Sequence, residues 1–193
     1  MKRSPLAMVL LALLVEAPMH PYRMQQMIKE RGQDQLVNVA QRNSVYQALD
    51  RLVREGLVRP GGTSREPGRP ERTVYEVTEE GAATLRRWLF ETLPEPAREF
   101  PEFPVSLAFL ALLTPDETRG LLRRRLATME DRAAGVEAQA PAGLPRLFLI
   151  EDEYRVAMMR AEIDWLRRVV ADLESGRLTW DRALIEETLA RFG

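Results

Sequence analysis

Apolar residues recur at helical spacing through the first third of the chain. Leu6, Val9, Leu10, Leu13 and Leu14 share one face, which predicts a core helix over residues 4–16. Ser4 followed by Pro5 supplies an N-cap and a proline at the first helical position. Ala17-Pro18-Met19-His20-Pro21 breaks the pattern. Tyr22, Met24, Met27 and Ile28 predict a second, short helix that closes near Gly32. A polar loop then leads to a third helix, from about Gln41 to Glu55. Its inward stripe is Val45, Leu49 and Leu52, and Gly56 suits the left-handed position just past its end.

After Gly56 the period changes. Leu57-Val58-Arg59 reads as a short strand, and Thr73 to Thr78 as a second, with β-branched and aromatic residues in alternation. The stretch 60–72 between them is too rich in Pro and Gly for a helix and too long for a two-residue hairpin. It predicts a long, exposed loop on a two-stranded sheet. Thr78 then caps a fourth helix, with Glu79 and Glu80 in its first turn and Ala82, Leu85, Trp88 and Leu89 as its apolar face.

The prolines at 94, 96, 101 and 104 mark a linker. Beyond it, 105–113 is strongly apolar. Thr114-Pro115-Asp116-Glu117 opens a charged helix over about 115–134, and 135–145 reads as a loop. The longest helix follows, over about 146–175, with a stripe of Leu147, Ile150, Tyr154, Met158, Ala161, Trp165 and Val169. A tail helix near 180–191 ends the chain. The expected architecture is mainly α. A winged helix-turn-helix with a two-stranded wing occupies 1–93, a linker 94–104, and a helical dimerisation domain 105–193.

Composition narrows the function by exclusion. With no Cys there is no disulfide framework, no Cys-ligated zinc and no thiol nucleophile. The single histidine, His20, cannot build a multi-histidine metal site. No Gly-rich phosphate loop and no nucleophile elbow is present. The paired acids Glu151-Asp152-Glu153 and Glu186-Glu187 fall in helical charge patterns, so no enzyme and no cofactor is expected. Met1-Lys2-Arg3 before the run Leu6–Val15 mimics a signal peptide, but the run is short, lacks a cleavage site and begins with a helix cap. A cytoplasmic protein without membrane spans is expected.

Charge is uneven along the chain. Residues 1–78 hold 12 Lys+Arg against 8 Asp+Glu, while residues 79–193 hold 16 against 21. Only Lys2 and Lys29 are lysine; the other basic residues are arginine. If Val45, Leu49 and Leu52 face inward, then Ser44, Gln47, Arg51 and Arg54 face outward, a row of hydroxyl, amide and guanidinium donors. In a winged helix-turn-helix the third helix enters the major groove and the wing touches the backbone. Such donors bond to phosphates, and Gln and Arg also read base edges. Arg42, Asn43 and Ser44 begin the helix, where free backbone N–H groups attract phosphate. Arg65, Arg69 and Arg72 lie on the wing loop, with Arg59 at its base. The plainer alternative for each is solvated surface.

The same residues resemble a known family. Asn43-Ser44-Val45-Tyr46, Leu49, Arg51-Leu52 and Glu55-Gly56-Leu57 resemble the signature of PadR-family transcriptional regulators. Gly68-Arg69-Pro70 through Tyr75 to Gly81 is similar to that family's wing and the turn into its fourth helix, and His20-Pro21-Tyr22 to the entry of its second helix. Asn43 stands where many relatives carry glycine. The rear half resembles the C-terminal dimerisation domain of the longer subgroup. The resemblance implies a homodimeric regulator, usually a repressor, that binds double-stranded DNA and releases it on binding a small molecule. It also implies that Tyr46 lies on the DNA-facing part of the third helix, near Ser44 and Gln47, with Arg69 on the wing. The alternative for Tyr46 is a structural ring packed on Leu49 and Asp50.

The stripe from Leu147 to Val169 needs a partner, and a second copy would bury it in a two-fold dimer; a monomeric helical bundle is the alternative. Trp88, Tyr154 and Trp165 could line an effector pocket, or could be plain core. The competing function is a winged-helix protein-interaction module without DNA affinity, which a wing lacking arginine would favour.

Overall fold

The computed structural model describes residues 3–39, 43–64, 72–139 and 143–192. They divide into two compact units, Met1–Glu99 and Phe100–Gly193.

The first unit opens with α1 (Pro5–Glu16), capped by Ser4, whose hydroxyl accepts from Ala7 N at 3.2 Å. α2 (Pro21–Glu30) is capped by His20, whose Nδ1 accepts from Tyr22 N. A single 3-10 turn at Gln33–Gln35 precedes α3 (Ser44–Arg54). The start expected near Gln41 lies outside the described residues; the described helix begins one residue before the inward Val45. It ends in a Schellman arrangement: Leu57 N donates to Leu52 O and Gly56 N to Val53 O, with Gly56 at φ 70°.

β1 (Val58–Ser64) and β2 (Arg72–Val77) form an antiparallel ribbon. The first strand runs on through Pro60-Gly61-Gly62, residues that the sequence assigns to the loop. A register shift between Pro60 and Gly62 admits them, with Gly62 at φ 138°. Met19 adds an isolated bridge to β2, exchanging both backbone hydrogen bonds with Tyr75. α4 (Glu79–Thr92) is capped by Thr78, which accepts from Gly81 N and donates to Gly56 O, so one hydroxyl joins the end of α3 to the start of α4. A Cβ on Gly81 would run into the Leu57 carbonyl, which explains glycine inside that first turn. The core gathers Leu10, Leu11 and Leu13 of α1, Met24 and Ile28 of α2, Val45, Leu49 and Leu52 of α3, and Trp88 of α4.

The second unit begins with α5 (Glu102–Ala108), which starts within the proline-punctuated stretch, and a 3-10 turn at Leu110–Leu112. α6 (Pro115–Gln139) continues past Gly135, where a loop is expected from the sequence. One interior glycine costs about 1 kcal/mol, and the surrounding Ala133, Ala134, Val136 and Ala138, with Ala133 buried, carry the helix through it. After a 3-10 turn at Arg146–Phe148, α7 (Ile150–Glu174) packs antiparallel on α6. α8 (Arg182–Phe192) closes the chain.

The α6–α7 pair buries Leu122, Met129 and Ala133 against Ile163, Leu166, Val170 and Leu173. Three ion pairs flank this seam at seven-residue steps: Arg123 with Glu174, Glu130 with Arg167, and Glu137 with Arg160. Trp180 folds back after α7 and donates its indole N–H to Leu113 O at 2.8 Å.

Candidate nucleic-acid interface

α3 buries Val45, Ala48, Leu49 and Leu52, so the residues between them face solvent. Gln47, Asp50, Arg51 and Arg54 are exposed, and Ser44 is half-buried at the first turn. Tyr46 keeps 44% of its surface exposed, so its ring is not part of the core. The outward face of α3 therefore presents a phenol, an amide and two guanidinium groups. Asp50 is the residue that a pattern of donors does not pick out: a carboxylate sits among them, suited to accept from a base amine and unsuited to face a phosphate.

The pairing of the arginines separates structural from available charge. Several other arginines of the first unit are held by carboxylates, while Arg86 lies over the Phe90 ring. Arg31 grips Glu16 through two bonds of 2.6 and 2.7 Å, Arg23 takes both oxygens of Glu30, and Arg3 reaches Glu91. The Arg31 guanidinium holds the Glu16 carboxyl below its usual pKa against an opposing effect of burial. Arg59, at the base of the wing, is paired across the ribbon with Glu76, so that cation is partly neutralised. Arg51 and Arg54 differ. Among the described residues neither forms an ion pair, and each returns only its Nε–H to a carbonyl one turn earlier, Gln47 O and Asp50 O. Among the described residues their remaining N–H groups make no hydrogen bond, which leaves them able to meet an anion.

Of the other residues read as DNA contacts, Asn43 sits at the N-cap of α3 without a side-chain bond to the helix. Arg42, Arg65 and Arg69 lie outside the described residues, and Arg72 is described only as the first residue of β2.

A protein-family comparison decides the identity of this unit. Residues 10–87 match the model of the transcriptional regulator PadR-like family. They form a PadR-like domain. The match runs from the middle of α1 through most of α4, including α3 and the ribbon. No curated protein sequence matches the chain significantly. Solved structures match its fold over both units. Bacillus subtilis PadR in complex with operator DNA gives a TM-score of 0.72 at 19% identity, over 87% of this chain and 98% of that one. The same protein with p-coumaric acid gives 0.70 at 18%, over 89% and 99%. The Vibrio cholerae virulence activator AphA gives 0.66 at 20%, over 88% and 98%. These likenesses are of fold: a winged helix-turn-helix followed by a C-terminal helical region.

The PadR-like domain keeps Trp88 buried in its own core. In the second unit Tyr154 is exposed near the start of α7, while Trp165 is half-buried and meets Phe103 edge-on at 6.2 Å. Tyr154 and Trp165 share a helix face but stand 11 residues apart, about 16 Å along the axis. Within one chain, therefore, the second unit does not gather them into a single pocket.

The stripe expected to meet a second copy divides in two. Leu147, Ile150, Tyr154, Met158 and Ala161 are exposed, whereas Trp165 and Val169 pack against the α6–α7 core. The residues that α7 buries within the chain, Val156, Ile163, Leu166, Val170 and Leu173, form a neighbouring stripe that the sequence reading does not single out. Both stripes are apolar, and the periodicity of a helix with two apolar faces does not say which one packs in cis.

Proposed function

We propose that the chain is a homodimeric, sequence-specific DNA-binding repressor. α3 enters the major groove, and the wing arginines together with Arg51 and Arg54 hold the phosphate backbone. The observation that carries this reading is the pairing pattern: the arginines at 3, 23, 31 and 59 are matched by carboxylates, and those on the outward face of α3 are not. Unpaired guanidinium groups beside an amide and a phenol, on the helix that a winged-helix unit presents to DNA, suit backbone grip plus base reading. The fold likeness to a PadR crystallised on operator DNA supports the same assignment.

In this reading two copies join through the exposed face of α7 and set two α3 helices about one DNA turn apart, roughly 34 Å, on a palindromic site. A small-molecule effector releases the DNA; a fold relative crystallised with p-coumaric acid supports a ligand-responsive design without naming this chain's ligand. Such a regulator works where the chromosome is, in the cytoplasm, and among the described residues no helix is long and apolar enough to cross a membrane.

Selection of binding sites from random duplexes tests the proposal. The expected outcome is a palindrome with half-sites one turn apart, occupied by two chains. An asymmetric site filled by one chain, or no enriched site at all, would overturn it. The sign of regulation is read in a reporter strain. Loss of the gene should raise transcription from the selected operator, and a fall would assign activation, the role named for the fold relative AphA.

A further inference from the structure

Asp50 is the single acid within α3, and it is exposed. Among the described residues its carboxylate makes no ion pair and no hydrogen bond. Glu16, Glu30, Glu76 and Glu91 of the same unit are each paired with an arginine. Arg54 stands four residues after Asp50, the spacing and order that favour an acid–base pair on a helix. Yet its Nε–H goes to the Asp50 carbonyl, at 3.4 Å, and not to the carboxylate. Helix chemistry does not call for an acid here either. Asp50 lies past the first turn, where it caps nothing, and aspartate is a poor former of helix interiors.

Its place on the helix gives the carboxylate a use. At about 100° per residue, Asp50 and Gln47 lie about 30° to either side of the direction opposite the buried Val45, Ala48, Leu49 and Leu52, while Tyr46 and Arg51 lie about 70° from it, on the flanks. A helix in the major groove turns the middle of its outward face to the base edges and its flanks to the phosphate walls. Gln47 and Asp50 are three residues apart, a rise of about 4.5 Å against about 3.4 Å per base pair, which sets their contacts on neighbouring pairs.

A carboxylate only accepts hydrogen bonds. In the major groove guanine shows N7 and O6 and thymine shows O4, all acceptors, so a carboxylate there meets no donor. Adenine offers its N6 amine, but the neighbouring N7 acceptor opposes the second carboxylate oxygen. Cytosine offers its N4 amine with no acceptor of its own beside it. Against phosphate the same group is repelled, so it lowers affinity wherever no amine answers it.

We infer that Asp50 is a specificity-determining residue that selects cytosine at the base pair next to the one read by Gln47, and that disfavours duplexes lacking it. This rests on the DNA-binding reading above and names one base of the operator.

Sites are selected from random duplexes with the full chain as parent, Asp50→Ala, Asp50→Asn and Gln47→Ala. The parent should enrich a cytosine in each half-site, beside the position that Gln47→Ala relaxes. Asp50→Ala should lose that cytosine and keep the rest of the site, with discrimination at the pair falling about tenfold. Asp50→Asn should move the preference to adenine, because an amide bonds N6 and N7 together. Random duplex should bind Asp50→Ala more tightly than the parent, with helix content unchanged, a gain that a merely structural residue would not give. Selection of the same site by parent and Asp50→Ala, an equal loss of affinity on every duplex, or a lost preference at a base other than cytosine overturns the inference and leaves the DNA-binding reading standing. A parent that enriches no site sinks both.

Discussion

Gln47 and Arg51 stand one helical turn apart on the outward face of α3, and their chemistry assigns them different work. An amide can bond adenine at two points, so its loss is felt at one base pair; a guanidinium meeting a phosphate contributes whatever the sequence. Gln47→Ala should therefore relax preference at one operator position by about 1–3 kcal/mol. Arg51→Ala should weaken all duplexes about equally and reduce the salt slope by about one. Binding measured on the operator, on single-base variants and on random duplex separates the two; equal effects of both substitutions on every duplex would undo the assignment. A different residue sets an acid limit. Glu16 has a lowered folded-state pKa through Arg31, so its contribution to stability is complete above the usual carboxylate range and is lost as pH falls through the lowered value. Both side chains are more than a third exposed, so the contribution is under about 1 kcal/mol. Thermal unfolding followed from neutral to acid pH should fall less steeply in Glu16→Gln than in the parent, and identical slopes would show that the pair is idle.

The elements differ in how openly the sequence states them. α1 and α3 are legible because each has one apolar stripe and a clear start or stop signal: Ser4-Pro5 for one, Gly56 for the other. The reach of β1 is less so, since Pro60, Gly61 and Gly62 argue against a strand until a bulge absorbs them. α6 crosses Gly135 because tertiary burial outweighs one poor helix former. On α7 the pattern of threes and fours fits two faces, and the one buried in cis is settled by the register with α6. That register is written in charge. Arg123, Glu130 and Glu137 meet Glu174, Arg167 and Arg160; a slip of one heptad would set Arg123 against Arg167, or Glu130 against Glu174. Arg167→Glu should lower stability in urea by up to about 1 kcal/mol, and adding Glu130→Arg should restore most of it. A double variant no more stable than the single would show that the pairs do not set the register. At the candidate DNA-facing site, the sequence places Ser44, Gln47, Arg51 and Arg54 on the outward face of α3 and adds Tyr46 only through the family resemblance. It does not show that the cation at Arg59 is answered by Glu76, because that pairing exists only across the folded ribbon.

At the scale of the molecule, charge is unevenly divided along the chain. Residues 1–78 have an excess of four positive charges and include the outward face of α3 and the ribbon; residues 79–193 are net acidic. A modest overall charge of −1 is thus compatible with strong attraction to a polyanion, because what matters is which arginines are left unpaired. That is the central claim, and ionic strength tests it most directly. Affinity of the full chain for its selected operator is measured by fluorescence anisotropy between about 50 and 200 mM salt. With six or more phosphate contacts across a dimer, log K should fall linearly with log salt, by about a thousandfold or more over that range. An affinity that hardly changes across it would contradict the account.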